Sequence, residues 1–423
     1  MTTVEQIKVD TIDLELGMFV SALDRPWSQT SFPLQGFQLK SHREITALRT
    51  ICQYVYVDAA KSTTANPDKL RTKQPKNPVG EEHYRASQTL LKLHHERYER
   101  KLGLPNKKDM EAVRIYFRKA GDSLNRIYDQ IKQGANIDEK VMNMTASLLV
   151  RSAVENPIAT TWMALLQSQE DGMYGQALRS ATWGLLCARH MGMDEFEIKR
   201  LAAGLLLKDV YRTKLTDDLS EAESVEETVR MLRDAGVHPK VISVVKYHRE
   251  KFNGSGKPYG FAGEKIPLLA RVAALAVGYD HKIYPLDGSQ GVPPSEAAKH
   301  LYDQRGKAYQ EEIAVEFIEA IGLYPLGAFV ELNTGEMACI VKTNPKRRLK
   351  PEIVILRNHQ GELTEGSERL SLDDEKRAEG RKIKTDLPYD PGFNVSKIFE
   401  EYIGSQFAEA PRSNRGMFGA LFG

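Results

Sequence analysis

The chain has 423 residues, 41% of them hydrophobic and 27% charged, with a formal net charge of +2. That length is too great for one ordinary core and predicts two or three domains of a folded globular protein. The near-zero charge excludes a general electrostatic pull toward nucleic acid or an anionic membrane, and no apolar run approaches the roughly 20 residues that span a bilayer.

From the N-terminus, residues 1–60 read as a small α+β domain. Ile7 to Val9 and Met18 to Leu23 are strand-like, with Gly17 at the turn before the second. Ser41 suits an N-cap for a helix carrying Ile45, Leu48 and Ile51 at helical spacing, and Tyr54 to Asp58 closes as a strand. Residues 61–79 are polar and basic, with Pro67, Pro75 and Pro78, and read as a linker. Glu81 to Leu102 is a charged helix, either an arm on its own domain or the contact of a homodimer.

Residues 80–322 form the helical domain. Pro157 opens one helix, Ala177 to His190 ends near Gly192, and Leu201 to Leu207 is apolar all round, the pattern of a central buried helix. Val237 to His248 is amphipathic and runs into a loop forced by Gly254, Ser255, Gly256 and Pro258, after which Leu268 to Ala276 is again a buried helix. Beyond Gly322 the period becomes that of strands: Ala328 to Leu332, Met337 to Val341 and Ile353 to Leu356, in a β-rich subdomain over 323–390. Residues 391–423 read as a helix and a flexible tail, Gly-rich from Pro411. The fold class expected is mainly α, with a small α/β domain before the helices and a small β appendix after them.

Cys52, Cys187 and Cys339 lie far apart with no CxxC, as reduced thiols of a cytosolic protein do. Residues 1–6 lack a basic region followed by an apolar one, so the expected location is cytoplasmic. The basic run from Pro345 to Pro351 reads as a solvated loop between strands, and no nucleic-acid or membrane partner is expected.

The most informative segment is Tyr247-His248-Arg249-Glu250-Lys251-Phe252-Asn253-Gly254-Ser255-Gly256-Lys257-Pro258. It resembles the signature of the HD-GYP family, in which paired His, Glu and an Asp-Gly-x-Gly-Tyr-Pro run support hydrolysis of cyclic di-GMP. Here the second His is Arg249, the Asp is Asn253 and the Tyr is Lys257. Leu205 to Arg212 resembles the Leu-Leu-x-His-Asp-Ile-Gly-Lys region, and Ala270 to Asp280 resembles a later helix. Leu14 to Val20 and Tyr54 to Asp58 resemble the small domain of unknown function that precedes many such modules.

The resemblance implies a site for two or three iron or manganese ions. Its ligand positions fall on Gln176, Lys208, Asp209, Ser224, His248, Arg249 and Val277, of which Asp209 and His248 alone keep ligand chemistry. Lys208 and Arg249 put positive charge where the resemblance puts metal, and two unit charges about 4 Å apart repel by roughly 4 kcal/mol at an effective dielectric near 20. The expectation is a pseudoenzyme with no catalytic residue and no bound metal. His248 is then a structural histidine at a helix end, and Asp209 pairs with Lys208 or Arg212 or caps backbone amides.

Lys208, Arg212, Arg249, Lys257 and Arg271, with the backbone of Gly254 and Gly256, form a candidate set for gripping a phosphate. The opposing reading pairs these cations with Asp209, Glu250 and Asp280 in a collapsed cleft. The function expected is that of a bacterial signalling adaptor or nucleotide sensor in cyclic di-GMP regulation, partnered by a diguanylate cyclase or a two-component protein. The alternative is an active metal-dependent phosphodiesterase with an atypical site built on Asp209 and His248.

Overall fold

The computed structural model describes residues 6–63 and 105–388 with short gaps, together with Arg97, Tyr98 and Ile398. Most of the expected 61–79 linker, the 81–102 helix apart from those two residues, and the 391–423 tail apart from Ile398 lie outside the described residues. The chain divides into two compact units, Met1–Lys92 and Leu93–Gly423.

In the first unit, β1 (Gln6–Asp10), β2 (Phe19–Leu23), β3 (Phe37–Gln38) and β4 (Tyr54–Asp58) form an antiparallel sheet in the order β1-β4-β2-β3. β4 is central because Val55 and Val57 pair with Val9 and Ile7 on one side and with Leu23 and Val20 on the other. Helix α1 (His42–Ile51) covers the sheet through Ile45 and Leu48. Its start is fixed by a capping box: Ser41 Oγ accepts from the Glu44 amide, and the Glu44 carboxylate accepts from the Ser41 amide.

The second unit opens with α2 (Lys107–Lys132), α3 (Glu139–Glu155) and α4 (Pro157–Leu166). Its centre is α5 (Met173–His190) against α6 (Glu195–Leu207), followed by a 3-10 turn at Val210–Lys214, α7 (Glu221–Asp234) and α8 (Pro239–Tyr247). α9 (Leu268–Ile283), α10 (Pro294–Asp303) and α11 (Glu311–Ile321) complete the stack. The run Leu201 to Leu207 is buried throughout, as expected of a central helix. α8 starts later than its amphipathic pattern suggests: Pro239 occupies its first turn and His238 Nδ1 accepts from the Lys240 amide 3.1 Å away.

Two close approaches set the site's geometry. A Cβ on Gly184 would lie 2.6 Å from Leu205 Cδ1, so α5 and α6 touch through a glycine. A Cβ on Gly204 would lie 2.5 Å from Val244 Cβ, so α6 and α8 do the same. Lys208 follows Gly204 by one helical turn and His248 follows Val244 by one turn. The crossing therefore delivers both helix ends to one place.

The C-terminal sheet belongs to the same unit and has the antiparallel order β8-β7-β6-β5-β9. Its strands are β5 (Phe329–Leu332), β6 (Met337–Lys342), β7 (Glu352–Arg357), β8 (Arg369–Ser371) and β9 (Ile383–Leu387), with the short α12 (Glu375–Ala378) between the last two. Three of the five were expected from sequence. Asp386 on β9 accepts from the Ser295 amide at 2.7 Å, which fastens the sheet to the start of α10. In the basic run, Arg347 pairs with Asp373 at 2.6 Å and Lys350 with Glu375 at 3.2 Å. Among the described residues no helix is long and apolar enough to cross a membrane.

Candidate functional site

Asp209, just past the C-terminus of α6, is the hub of a buried polar cluster. The Lys208 ammonium, itself fully buried, donates to Asp209 Oδ2 and lies 3.5 Å from Gln176 Oε1 on α5. Arg249 Nη2 reaches Asp209 Oδ1 at 3.4 Å, and Arg212 Nη1 approaches the same oxygen at 3.8 Å. Burial alone would push the Asp209 carboxyl up, but the Lys208 ammonium, with Arg249 beyond it, holds it far below the usual carboxylate range.

His248 caps α8. Its Nδ1–H donates to the Val245 carbonyl at 2.7 Å, and Arg249 Nε donates to His248 Nε2 at 3.2 Å. The imidazole is neutral: burial first, then the neighbouring cations against the pull of Asp209, take it down to about 3. Both ring nitrogens are thereby engaged, and the lone pair a metal would use accepts from a guanidinium instead.

α9 faces the cluster with His281, which sequence reasoning missed. Burial, and after it the Lys208 ammonium, lower His281 to about 4, with Arg249 and Arg212 acting in the same sense. Val277 stands one turn before His281 and is buried on the same face. Asp280 accepts from Arg179 Nε at 2.9 Å and Trp183 Nε1 at 3.2 Å, both on α5. Arg179 was likewise missed; it lies three residues after Gln176, a helical spacing that was the available signal.

Thus Gln176, Lys208, Asp209, Arg212, His248 and Arg249 are linked by direct contacts, and Val277 shares the helix face of His281. The others have no described side-chain contact with Asp209. Ser224 is buried near the start of α7, and no described contact joins it to Asp209. Arg271 donates to Gln310 at the start of α11. Lys257 is exposed.

The expected pairing of cations with Glu250 and Asp280 is corrected in two respects. Asp280 takes Arg179, which lies across the α5–α9 contact. Glu250 takes no cation of the candidate set: its two oxygens accept from the Tyr259 and Phe261 amides at 2.8 and 2.9 Å, pinning the glycine loop. Within that loop Asn253 Oδ1 accepts from the Ser255 amide at 3.0 Å, a turn that needs only a side-chain oxygen and so accepts Asn. A Cβ on Gly256 would sit 2.3 Å from the Lys251 nitrogen, so no other residue fits there.

The two or three ions implied by the resemblance do not fit these residues. The carboxylate of Asp209 is held by three cations, His248 Nε2 is occupied, and a buried ammonium stands between the donors of α5 and α6. What the arrangement can offer is positive charge. Arg249 is 17% and Arg212 30% exposed, so both guanidiniums reach the surface while Lys208 is sealed.

Three family models match the chain. One described as DUF3391, a domain of unknown function, covers residues 6–141; one described as an HD domain covers 161–313; a KOW domain associated with HD domain covers 329–378. A cyclic di-GMP phosphodiesterase of Pseudomonas aeruginosa is 23% identical over 364 residues, 82% of this chain and 84% of that protein. A cyclic di-GMP phosphodiesterase response regulator of Xanthomonas campestris is 25% identical over 142 residues, 29% of this chain and 37% of that protein. A probable cyclic di-GMP phosphodiesterase of Vibrio cholerae is 30% identical over 122 residues, 28% of this chain and 27% of that protein.

Proposed function

The chain belongs to the HD-GYP family of HD-domain proteins, and from that premise we propose that it serves cyclic di-GMP signalling without hydrolysing the nucleotide, as an adaptor or nucleotide sensor. The observation that carries this reading is the buried Lys208 ammonium on Asp209, seconded by Arg249 on His248 Nε2. A phosphodiesterase that uses dications needs a metal-bound water of lowered pKa and a Lewis acid at the phosphate. Fixed ammonium and guanidinium groups supply charge but no such water, so the part of the chemistry that survives is phosphate recognition.

Arg249 and Arg212 are the residues of that recognition. Each presents a planar fork able to grip a phosphate through two donors, and each is partly open to solvent. Lys208, itself sealed, keeps Asp209 ionised, and that carboxylate holds the two guanidiniums. In this role the protein partner is a diguanylate cyclase or a two-component protein, which reads the nucleotide-bound state.

The test is a turnover assay of the full chain with cyclic di-GMP and added manganese or iron. No linear dinucleotide above the protein-free control is expected; steady turnover lost in Asp209→Asn sinks the non-catalytic reading and restores that of an atypical phosphodiesterase. Calorimetric titration with cyclic di-GMP then separates sensor from adaptor, since only a sensor gives heat that Arg249→Ala abolishes.

A further inference from the structure

The last turn of α5 meets α11 at three side chains outside the Asp209 cluster. His190 closes α5, while Glu316 and Glu319 stand three residues apart on α11, on one helical face. His190 Nε2 lies 3.4 Å from Glu316 Oε2 and 3.7 Å from Glu319 Oε2. One donor atom from each residue falls within 4.8 Å of the other two.

These separations exceed the roughly 2.7–3.2 Å of an N–H···O hydrogen bond. They are close to the edge of a tetrahedron whose centre lies about 2.0–2.2 Å from each corner, an edge of roughly 3.3–3.6 Å. A shared proton draws two donors together, whereas a shared ion holds them at about this spacing.

We propose that His190, Glu316 and Glu319 bind one divalent transition-metal ion, of which zinc is the type. One imidazole with two carboxylates suits zinc and its first-row neighbours; magnesium and calcium take all-oxygen sites. Three protein donors leave a fourth position for water. Glu316 is nearly buried at 12% exposure, while His190 and Glu319 are 33% and 40% exposed, so the seat is partly desolvated and open to entry from solution. It shares no residue with the Asp209 cluster, and the ion would tie the end of α5 to α11.

The experiment uses the full chain, stripped with a chelator and titrated calorimetrically with zinc chloride. About one equivalent is expected, with affinity reduced by more than about tenfold in Glu319→Gln and in His190→Asn. Glu319 is exposed enough for its variant to fold, which circular dichroism checks. Cobalt loaded in place of zinc should give the visible bands of a tetrahedral or five-coordinate ion, lost in the same variants. Absence of binding by the wild type overturns the assignment, and so does a stoichiometry and affinity unchanged in both variants, which would place the ion elsewhere.

Discussion

Lys208→Met tests the central claim that an ammonium, and not a metal, satisfies Asp209. Lys208 is buried to 1% exposure and Asp209 to 4%. Removing one partner of a buried pair costs about 3–5 kcal/mol, because the other charge is left uncompensated. Arg249 and Arg212 remain at 3.4 and 3.8 Å, so the lower end, about 3 kcal/mol, is expected here. Met has nearly the length of the lysine stem and adds little cavity cost. Urea unfolding followed by tryptophan fluorescence reports mainly on this unit, since two of the three tryptophans, Trp162 and Trp183, are fully buried in it. The pH dependence has a definite sign. A carboxyl held below its unfolded value contributes stability that is present above about pH 4 and lost as pH falls further. Without Lys208 the folded-state carboxyl is less depressed, so the acid-dependent loss is smaller and is complete at a higher pH. The double variant Lys208→Met/Asp209→Leu removes both charges and should lie within about 1 kcal/mol of wild type or above it, since Arg249 and Arg212 can turn to water. A single variant costing less than about 1 kcal/mol, or a double variant no better than the single, refutes the reasoning.

His248 and His281, held near 3 and 4, should show imidazole resonances that do not titrate between pH 8 and 5.5. The unfolded chain takes up their protons as pH drops through about 6.5, so each lowers stability on acidification by about 1.4 kcal/mol per pH unit until its folded value is reached. Glu316, pushed up to about 7 by burial, acts in the opposite sense, so the histidine part is isolated by comparing wild type with His281→Gln across pH 5.5–7.5. Gly256→Ala should cost at least about 2 kcal/mol by thermal melting, because its Cβ meets backbone atoms of Lys251 and Glu250 at 2.3 and 2.4 Å. Gly121→Ala, inside α2 with nothing within 4 Å of the new Cβ, should instead gain about 0.5–1 kcal/mol. Asp280→Asn should cost about 3 kcal/mol or more by urea titration, leaving the Arg179 guanidinium buried without its counter-charge.

The parts of the fold that sequence missed share a physical character. β3, β8 and β9 are all edge strands of their sheets. An edge strand has one neighbour, tolerates charge and gains nothing from a continuous apolar run, so Arg369–Ser371 and Ile383–Leu387 carry little of the alternation that reveals a strand. The central strands, the helices and the edge strand β1, whose Ile7 and Val9 are buried, were legible because each must bury a face. At the site, the residues singled out by motif spacing, Gln176, Lys208, Asp209, His248 and Arg249, lie in mutual contact because helix ends fixed by Gly204 and the loop glycines set their positions. Spacing could not say which acid each cation would choose. Arg271 took Gln310, and Asp280 took an arginine from another helix, because partner choice is decided by tertiary approach.

The electrostatics of the cluster argue for an anion as its ligand. Three cations converge on the single carboxylate of Asp209, and His281, facing them from α9, is lowered by that field in addition to burial. A chain with a formal net charge of only +2 thus concentrates positive potential at one partly open place. On the proposed reading, a phosphate approaching Arg249 and Arg212 meets a potential of the sign that dications would make there. Binding carried by this potential should weaken with ionic strength, since the guanidiniums lie at the surface where a Debye length of about 8 Å at physiological salt screens them. Heat of cyclic di-GMP binding that is indifferent to salt between 50 and 500 mM would mean that stacking or partner contacts, and not this charge, hold the ligand.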